Sequence, residues 1–349
     1  MKVAMLTPLF LPVRGGTEVH VYNLARRLIG LGVQVEVHTS RDTYTERGVL
    51  PPEEEIDGIK VVRHSRGWEL KGDFDLAHFH NMHRMFTLWN ARTVAFFLSS
   101  SRRKVFTPHD SMITERPPPV RWLQRLMISR ADRWIAVSEW ERKEMAKRRF
   151  RVDNSVVINN GVEDEAFELP RQNPVIEGDY LLFLARISPE KNQLFAIECL
   201  SRSGLNLKLV LAGEVRDRAY FERISPLLSD KVIYLGKVDQ RTKYSLIDNA
   251  LALVLTSLME AEPIVVKEAF VRGTPAIVKD TAGGAVELVK DGLNGFVVRD
   301  CESFERAVRE VMRNREELSK NARAGTETFR WEYVAKRTLE VYNEVVKGS

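Results

Sequence analysis

The strongest candidate for chemistry is a histidine that directly follows an apolar segment. His109 lies in residues 107–110, just after the apolar pair Val105 and Phe106. Open α/β sheets bind ligands beyond the carboxyl ends of their strands. An imidazole placed there can accept or donate a proton near neutral pH. His109 is therefore the best single catalytic candidate in the chain.

Two cations follow a second apolar segment, residues 180–184. Arg186 and Lys191 stand five residues apart in this loop. A guanidinium can bind two phosphate oxygens at once, and an ammonium adds a point charge. The pair predicts a diphosphate site, and a solvated loop with chance charges is the alternative.

Two carboxylates follow a third apolar segment, residues 251–255, where a helix is predicted to begin. Glu260 and Glu268 stand eight residues apart, with Pro263 and Ile264 in the turn between them. One carboxylate can accept hydrogen bonds from both hydroxyls of a ribose while the other faces a sugar. We take all four residues as candidate ligand-binding residues, although such spacing alone also occurs on ordinary surface helices.

A glycine pair precedes the first predicted helix. Gly15 and Gly16 permit a tight turn, and Thr17 can cap a helix that runs to about Leu31. Backbone N–H groups at such a helix start bind anions. The G-x-G-x-x-G fingerprint is absent, so dinucleotide binding is disfavoured. Gly15 and Gly16 are candidate binding residues, and plain turn geometry is the alternative.

Histidines and paired aspartates raise the question of a metal site. All seven histidines lie in the first half of the chain: His20, His38, His64, His78, His80, His83 and His109. His78 and His80 alternate along a predicted buried strand, so strand-end positions explain them better than metal ligation does. Residues 73–75, Asp-Phe-Asp, resemble the paired aspartates of metal-dependent sugar transfer, but they read better as a turn before that strand. We predict no metal site and no cofactor.

These residues lie in an alternating pattern of predicted strands and helices. Strand-sized apolar runs alternate with segments of helical period in both halves of the chain. A polar stretch with two prolines, residues 163–179, interrupts the pattern, and residues 304–346 are helical throughout. Repeated βα winding predicts two doubly wound α/β domains, joined by a linker and separated by a cleft.

Length and composition agree with a folded two-domain protein. The chain has 349 residues, 44% hydrophobic and 29% charged, which excludes a disordered or collagenous protein. No apolar run approaches the roughly 18 residues of a membrane span, and the N-terminus begins as a strand without a signal peptide. We expect a cytoplasmic protein in which Cys199 and Cys301 stay reduced as packing residues.

The charge of the chain is unevenly distributed. The formal net charge is +5, but residues 84–151 hold 16 Lys or Arg against 6 Asp or Glu, a local charge of +10. This predicts an anionic partner for the first domain, such as the inner face of a membrane, and not nucleic acid. Arg116, Arg121, Trp122 and Arg125 lie on or beside a predicted helix that can rest on anionic lipid. The alternative is that its apolar side chains pack beneath the domain while the arginines face water.

Nearly the whole chain resembles the family 4 glycosyltransferases of GT-B fold. Six motifs of the family occur here in the same order. They are a glycine-rich loop, a strand that ends in histidine, a loop histidine, an asparagine-glycine turn, an arginine and lysine pair, and two glutamates separated by seven residues. They fall on residues 15–18, residues 75–80, His109, residues 158–162, Arg186 with Lys191, and Glu260 with Glu268. Further similarity covers residues 268–275, 283–287 and 291–296, and Trp331 with Glu332.

The resemblance implies domain bounds and an activity. The first Rossmann-like domain would comprise residues 1–165, and a C-terminal helix of residues 334–349 would cross back to join it. The second would comprise residues 166–333 and would bind a nucleotide sugar. The implied reaction transfers a hexose from a UDP- or GDP-linked sugar, with retention of configuration, to a lipid-linked, glycan or small-molecule acceptor.

The resemblance also implies residue roles. Arg186 and Lys191 would neutralise the leaving diphosphate, the task that a divalent cation performs in other transferases. Glu268 would hold the ribose, and Glu260 with the backbone amides after it would orient the sugar. His109 would contact a sugar hydroxyl or the charge that develops at the anomeric centre.

Two departures from the family pattern concern the donor. Ala185 stands where glycine is usual, and Glu262 adds a carboxylate that opposes diphosphate binding unless its side chain points away or contacts the acceptor. Two alternatives therefore stay open: a sugar-nucleotide epimerase of the same fold, and a catalytically silent subunit that binds sugar nucleotides. The glutamate pair favours transfer over epimerisation, and the presence of His109 and Lys191 argues against a silent subunit.

Overall fold

The computed structural model describes residues 1–43, 45–65, 70, 72–81, 97, 103–109 and 117–348, and for Val120 only the backbone. This part of the chain divides into two units, Met1–Gly161 with Trp331–Ser349, and Val162–Arg330. The sequence predicts domain bounds after residues 165 and 333. The observed bounds, after residues 161 and 330, come four and three residues earlier. The segment predicted as a linker therefore belongs to the second unit.

The first unit contains an eight-stranded sheet within the described residues. Its strands are β1 (Lys2–Leu6), β2 (Gln34–Ser40), β3 (Glu53–Ile56), β4 (Ile59–His64), β5 (Leu76–His80), β6 (Arg103–Thr107), β7 (Arg133–Ala136) and β8 (Ser155–Val157). The order is β3-β4-β2-β1-β5-β6-β7-β8, and all pairs are parallel except β3 with β4. The described helices before the second unit are α1 (Gly16–Gly30), α2 (Pro118–Arg130) and α3 (Glu139–Lys147). The central strands are almost fully buried, as is usual for parallel sheets covered on both faces.

The second unit contains a six-stranded parallel sheet. Its strands are β9 (Tyr180–Leu184), β10 (Lys208–Ala212), β11 (Val232–Tyr234), β12 (Ala252–Leu255), β13 (Ala276–Lys279) and β14 (Gly295–Val298), in the order β11-β10-β9-β12-β13-β14. Its helices are α4 (Glu165–Glu168), α5 (Gln193–Arg202), α6 (Arg218–Ile224), α7 (Gln240–Asn249), α8 (Ile264–Arg272), α9 (Gly284–Leu288) and α10 (Cys301–Arg323). The strands predicted from the apolar runs of this half are confirmed.

The last helix, α11 (Trp331–Lys347), returns the chain to the first unit. Trp331 and Tyr342 are buried there, and Glu332 pairs with Arg27 of α1 at 2.7 Å. The Tyr342 hydroxyl lies 2.6 Å from Nδ1 of His78, so the helix is bonded to the central strand β5 as well as packed on α1. The predicted return of the C-terminal helix is confirmed, and the helix begins three residues before residue 334.

The two cysteines are bonded to each other, contrary to the expectation that they remain reduced. Cys199 of α5 and Cys301, the first residue of α10, form a disulfide with their Cα atoms 4.6 Å apart. The two helices pack side by side, which brings together residues separated by 102 positions. Sequence spacing does not reveal such a pair, because the packing of two distant helices creates it.

Reduction of this disulfide should destabilise the protein. A bond that closes a loop of this length limits the unfolded chain, so we expect reduction to lower the free energy of unfolding by roughly 2–5 kcal/mol. Urea denaturation with and without a thiol reductant measures the difference. The double variant Cys199→Ala with Cys301→Ala is the control, because its stability should not respond to reductant. Two freely reactive thiols in the folded, unreduced protein would contradict the pairing.

Candidate functional site

Both sheets reverse their winding direction beside their first strand. In the second unit, strands are added on one side of β9 and then, from β12, on the other side. In the first unit the same reversal lies between β1 and β5. Parallel α/β sheets bind ligands at this point, beyond the carboxyl ends of the strands. Arg186 and Glu260 follow β9 and β12, Gly15 follows β1, and His80 ends β5.

Lys191 and Glu260 form an ion pair between the loops that follow β9 and β12. The Lys191 ammonium lies 2.6 Å from Glu260 Oε1, and the Ser257 hydroxyl donates to the same oxygen at 2.6 Å. The charged side chains are 17% and 13% exposed, so the pair lies at the edge of the protein interior. The structure thus brings together two predicted residues from separate segments of the chain.

Backbone contacts hold these loops close together. Leu258 N donates to Glu190 O at 2.8 Å, and Gly284 N donates to Glu260 O at 2.7 Å. A Cβ atom at Gly284 would lie 1.9 Å from the Ala261 carbonyl oxygen. Glycine is therefore needed at the start of α9, because any side chain there would push the Glu260 loop away from the sheet.

Arg186 differs from Lys191, because no ion-pair partner for it lies in the part of the chain that the structure describes. Arg186 is exposed, and its carbonyl oxygen accepts a hydrogen bond from Gln193 Nε2 at 2.8 Å. The preceding Ala185 is not in the left-handed region, so alanine fits there without backbone strain. The Arg186 guanidinium, five residues before the paired Lys191, is therefore open to an anionic ligand.

Glu268 lies in the middle of α8 and is only 6% exposed. Lys243 Nζ donates to its Oε1 at 2.7 Å, and the Tyr244 hydroxyl donates to the same oxygen at 3.2 Å. Burial, followed by the Glu268 charge, raises the pKa of Tyr244 above its usual value, so the hydroxyl remains a donor. Both contacts use one carboxylate oxygen, and an ionised carboxylate has about four acceptor positions. Glu268 is therefore an oriented acceptor with capacity for further donors.

The Glu262 carboxylate points into the protein and pairs with Lys267 of α8. The two side chains are 1% and 0% exposed, and the Lys267 ammonium also lies 5.0 Å from the centre of the Phe329 ring. Burial lowers the pKa of the Lys267 ammonium, and the Glu262 carboxylate opposes that shift. The charge of Glu262 is thus compensated inside the protein, which removes the expected opposition to a diphosphate.

The glycine loop of the first unit leads directly into α1. Gly15 precedes the helix in an extended conformation, with φ −148° and ψ −179°. No described atom lies within 4 Å of the position that a Cβ of Gly16 would occupy. Asn81, directly after β5, donates from Nδ2 to Thr17 Oγ1 at 3.2 Å and links the two sides of the switch point. The start of α1 therefore has room for a ligand close to its backbone N–H groups.

His109 belongs to a group of histidines at the carboxyl ends of β5 and β6. Its Nε2 lies 3.1 Å from Nδ1 of His80. The ring centre of His20, in α1, lies 4.5 Å from that of His109. Nδ1 of His20 in turn lies 2.7 Å from Asn160 Oδ1, which orients the His20 ring. Several distant segments of the chain thus converge on one imidazole.

Burial keeps these imidazoles neutral. It lowers the pKa of His78, His80 and His109 well below the usual imidazole value of 6.5, and neighbouring histidines lower the pKa values further. At pH 7 the rings therefore act as neutral donors and acceptors of hydrogen bonds, not as cations.

The backbone at His109 is in the left-handed region, with φ 50°. A residue other than glycine pays about 1–3 kcal/mol for such a conformation, and the surrounding structure must hold it there. Strain of this kind gathers at binding and catalytic sites. The conformation favours the prediction that His109 has a functional role.

Two family models match the chain and together span both units. The model described as Glycosyltransferase Family 4 matches residues 14–166, and the model described as Glycosyl transferases group 1 matches residues 166–328. The chain belongs to the family 4 glycosyltransferases. The resemblance inferred from the sequence motifs is therefore confirmed, as is the prediction of a transferase.

Relatives and solved structures extend this glycosyltransferase match over the whole chain. An uncharacterised glycosyltransferase of Methanocaldococcus jannaschii is 26% identical over 98% of both chains. Sucrose-phosphate synthase from Thermosynechococcus elongatus has a TM-score of 0.79 and 17% identity, with 100% of each chain covered. Anabaena HepE in complex with UDP-glucose has a TM-score of 0.77 and 18% identity, covering 99% of this chain and 100% of that one. The predicted GT-B fold of two Rossmann-like domains is confirmed.

The predicted donor-site residues of the glycosyltransferase are only partly in mutual contact. Lys191 and Glu260 are bonded directly, whereas Glu268 is held by other partners. Pro263 immediately precedes α8, and Ile264 is its first residue. The predicted turn between the two glutamates is therefore the start of a helix, where backbone N–H groups are unpaired.

Some predicted positions lie outside the described residues or have structural partners. Arg116 and His83 lie outside the described part of the glycosyltransferase. Asp75 Oδ2 accepts a hydrogen bond from the backbone N–H of Lys2 at 2.6 Å, and Phe74 is buried. These contacts give residues 74 and 75 a structural role just before β5.

Helix α2 presents one large aromatic side chain to solvent. Trp122 is 64% exposed, whereas Met127 is buried. The Arg125 guanidinium donates to the Arg148 carbonyl oxygen from Nε at 3.2 Å and Nη2 at 2.7 Å. Arg125 thus fastens α2 to the end of α3, which differs from the expected role on a lipid-facing surface. Arg121 is half-buried.

Several residues that complete the site had no role in the sequence prediction. Lys243 and Lys267 pair with Glu268 and Glu262. Lys243 lies on α7, outside the matched motifs, and Lys267 directly precedes Glu268 on α8, but no local signal marks either lysine as a partner. Asn160 orients His20. Its place in the asparagine-glycine turn is the one signal in the sequence that points to it.

Proposed function

We propose that this glycosyltransferase transfers a hexose from a UDP- or GDP-linked sugar to an acceptor, with retention of configuration. The observation that carries the proposal is the Lys191 and Glu260 ion pair at the switch point of the second sheet, in a loop after β9 that also carries the exposed Arg186. The Anabaena structure in complex with UDP-glucose supports a nucleotide sugar as donor. In this proposal the nucleotide sugar is a substrate, and transfer needs neither a cofactor nor a metal ion.

Arg186 and Lys191 bind the diphosphate. The Arg186 guanidinium can bind two phosphate oxygens. Within the described residues it has no ion pair that would have to break first. The Lys191 ammonium has three donors, so it can bind a phosphate oxygen while keeping its contact with Glu260. The two positive charges stabilise the negative charge that develops on the leaving diphosphate, as a divalent cation does in other transferases.

Glu260 and Glu268 recognise the sugar and the ribose. Lys191 and Ser257 orient the Glu260 carboxylate before the donor arrives, which lowers the entropy cost of binding. Lys243 occupies Oε1 of Glu268 and leaves Oε2 for ribose hydroxyls. Pro263 has no backbone N–H, so the start of α8 adds donors only from Ile264 onward, where helix N–H groups favour anionic and hydroxyl ligands.

His109 acts on the transferred sugar. Positive charge builds at the anomeric carbon as a glycosidic bond to the leaving group breaks. A neutral imidazole can accept a hydrogen bond from a sugar hydroxyl without repelling that charge, whereas an imidazolium would oppose it. The lowered pKa of His109 supports this role, and the contact with His80 holds the ring in place.

Family membership disfavours the two alternatives. The matching models are those of glycosyltransferases, whereas an epimerase needs an acid and a base for elimination of the nucleotide. A silent binding subunit would not require the strained His109 or the oriented Lys191. Release of free sugar from a nucleotide sugar in the absence of acceptor separates a transferase from a silent subunit.

Lys191→Ala should weaken donor binding. The variant loses a charge-assisted phosphate contact worth roughly 1.5–3 kcal/mol. We therefore expect affinity for UDP or GDP to fall about ten- to a hundredfold. Isothermal titration calorimetry with both nucleotides measures the change, and also determines which base the protein prefers.

Lys320→Ala is the matched control for this measurement, because Lys320 is exposed on α10 and is not a predicted site residue. Its nucleotide affinity should equal that of the unmodified protein. Unchanged affinity in Lys191→Ala would refute the diphosphate role. Equal losses in both variants would show a general charge effect in place of a specific contact.

His109→Ala should lower turnover and leave donor affinity nearly intact. The contact that it removes is made mainly in the transition state, and such contacts affect the rate constant more than ground-state binding. We expect turnover to fall about a hundredfold or more. Steady-state kinetics with a nucleotide-affinity measurement separates the two effects, with His64→Ala as the control histidine. A change confined to donor affinity would contradict the role.

The exposed Trp122 supports peripheral contact with an anionic membrane, and hence a lipid-linked acceptor. An indole ring favours the headgroup level of a bilayer, and each nearby arginine contributes about 1 kcal/mol at an anionic surface. Arg121 and Arg130 lie on the same helix. None of the described helices is both long enough and apolar enough to cross a membrane. Glycan and small-molecule acceptors are the alternatives.

Cosedimentation with vesicles tests this contact. The protein should bind anionic vesicles at low salt, release them as salt rises, and ignore neutral vesicles. Trp122→Ala should weaken binding, whereas Tyr333→Ala, which removes an aromatic side chain exposed to 45% on α11, should not. If the protein ignores anionic vesicles even at low salt, the membrane contact is wrong and a water-soluble acceptor is favoured.

A further inference from the structure

Three histidines of the first unit place ring nitrogens close together. One nitrogen from each of His20, His80 and His109 lies within 4.8 Å of the other two. The residues come from α1, the end of β5 and the loop after β6, and we call them the three-histidine cluster. The proposed transfer reaction uses His109, but it assigns no direct contact with the substrate to His20 or His80.

We propose that the three-histidine cluster binds a divalent transition-metal ion of the zinc type. Imidazole nitrogens are common zinc ligands, and sites with three protein ligands keep a fourth position open to water or substrate. The cluster has neither the oxygen-rich ligand set that magnesium or calcium prefers nor the thiolates of an iron–sulfur site. Its chemistry therefore selects zinc, cobalt, nickel or copper.

The surroundings of His20 prepare it for ligation. Asn160 Oδ1 can only accept a hydrogen bond, so the 2.7 Å contact requires His20 Nδ1 to carry the proton. A metal ion would therefore be ligated by His20 through Nε2. Partners that orient a ligating histidine in this way commonly change metal affinity about ten- to a hundredfold.

His80 has unused hydrogen-bonding capacity in the protein interior. The residue is 0% exposed, and its Nε2 has no hydrogen-bond partner within the described residues. Nδ1 is the nitrogen that faces His109. A His80 that ligates a metal ion through Nδ1 therefore carries its proton on this unpaired Nε2.

The spacing is close to that of a tetrahedral zinc site. Two nitrogens that each lie about 2.0–2.1 Å from zinc are about 3.3 Å apart. Nδ1 of His80 and Nε2 of His109 are 3.1 Å apart. The widest separation, at most 4.8 Å, must shorten by up to about 1.5 Å to meet that geometry. Rotation of the imidazole rings can supply a movement of this size.

A consequence for activity rests on the proposed function. A metal ion bound to Nε2 of His109, the nitrogen that faces His80, requires the proton of the neutral ring to lie on Nδ1. The ring can then no longer accept a hydrogen bond from a sugar hydroxyl. The ion should therefore inhibit transfer. When a chelator removes the ion, transfer should proceed. The cluster would make the enzyme sensitive to zinc at its catalytic histidine.

A second histidine pair in the same unit provides a matched control. His38 Nδ1 lies 3.0 Å from His64 Nε2, and Glu36 lies 3.2 Å from His38 Nε2. These residues are not part of the three-histidine cluster. His64→Ala therefore removes one histidine without changing the proposed ligands.

Metal binding is measured directly on the full chain without an affinity tag and without nucleotide. The protein is treated with EDTA, dialysed, and titrated with Zn²⁺ by calorimetry and with Co²⁺ by visible absorbance. We expect one tightly bound ion per chain, and at least about tenfold weaker binding in His20→Gln and in His80→Asn. His64→Ala should bind like the unmodified protein.

X-ray absorption of the unmodified zinc-loaded protein does not depend on whether the variants fold. It should show three imidazole nitrogens at about 2.0–2.1 Å from zinc. Absence of binding would overturn the proposal. So would a carboxylate-rich ligand shell, or an affinity loss in His64→Ala equal to that in His20→Gln.

Turnover assays distinguish the metal site from the proposed function. Activity retained in EDTA and lost at saturating free Zn²⁺, with inhibition relieved in His20→Gln, supports both proposals. Tight zinc binding without inhibition would keep the metal site and overturn the role of His109. Loss of activity in EDTA, restored by magnesium or manganese, would overturn metal-independent transfer while the calorimetry still decides the cluster.

Discussion

The reversal of winding in each parallel sheet is the constraint on which the candidate site depends. Helices that connect parallel strands cover one face before the reversal and the other face after it, so the loops at that point separate and leave room for a ligand. In the second sheet this point lies between β9 and β12, and in the first between β1 and β5. The motifs noted in the sequence follow these strands because a ligand can approach the backbone there.

Charge compensation then determines which side chains at the second switch point can bind a ligand. Three lysine and glutamate pairs occur there: Lys191 with Glu260, Lys243 with Glu268, and Lys267 with Glu262. A buried carboxylate is unfavourable without an opposite charge, so the Glu262 pair serves the interior. The Lys191 pair lies nearer the surface, and Arg186 precedes Lys191 in the same loop. The first switch point works differently, because burial there yields neutral imidazoles suited to hydrogen bonding.

The sequence alone determines the alternation of strands and helices, the two-domain α/β architecture and the positions of the main candidate residues. Strand and helix periods are local properties of about ten residues, so β9 and β12 can be located from their apolar runs. A polar residue that follows such a run must lie at the carboxyl edge of the sheet. Arg186, Glu260 and His109 can therefore be identified from the sequence.

Only the tertiary structure decides which distant residues meet and where a side chain points. Cys199 meets Cys301 because α5 packs against α10. His20 of α1 meets His80, which ends β5, and His109, which follows β6. The direction of the Glu262 carboxylate depends on a lysine, Lys267, that becomes its partner only when α8 is buried. These outcomes follow from packing and desolvation between segments far apart in the chain, and no local pattern of residues encodes them.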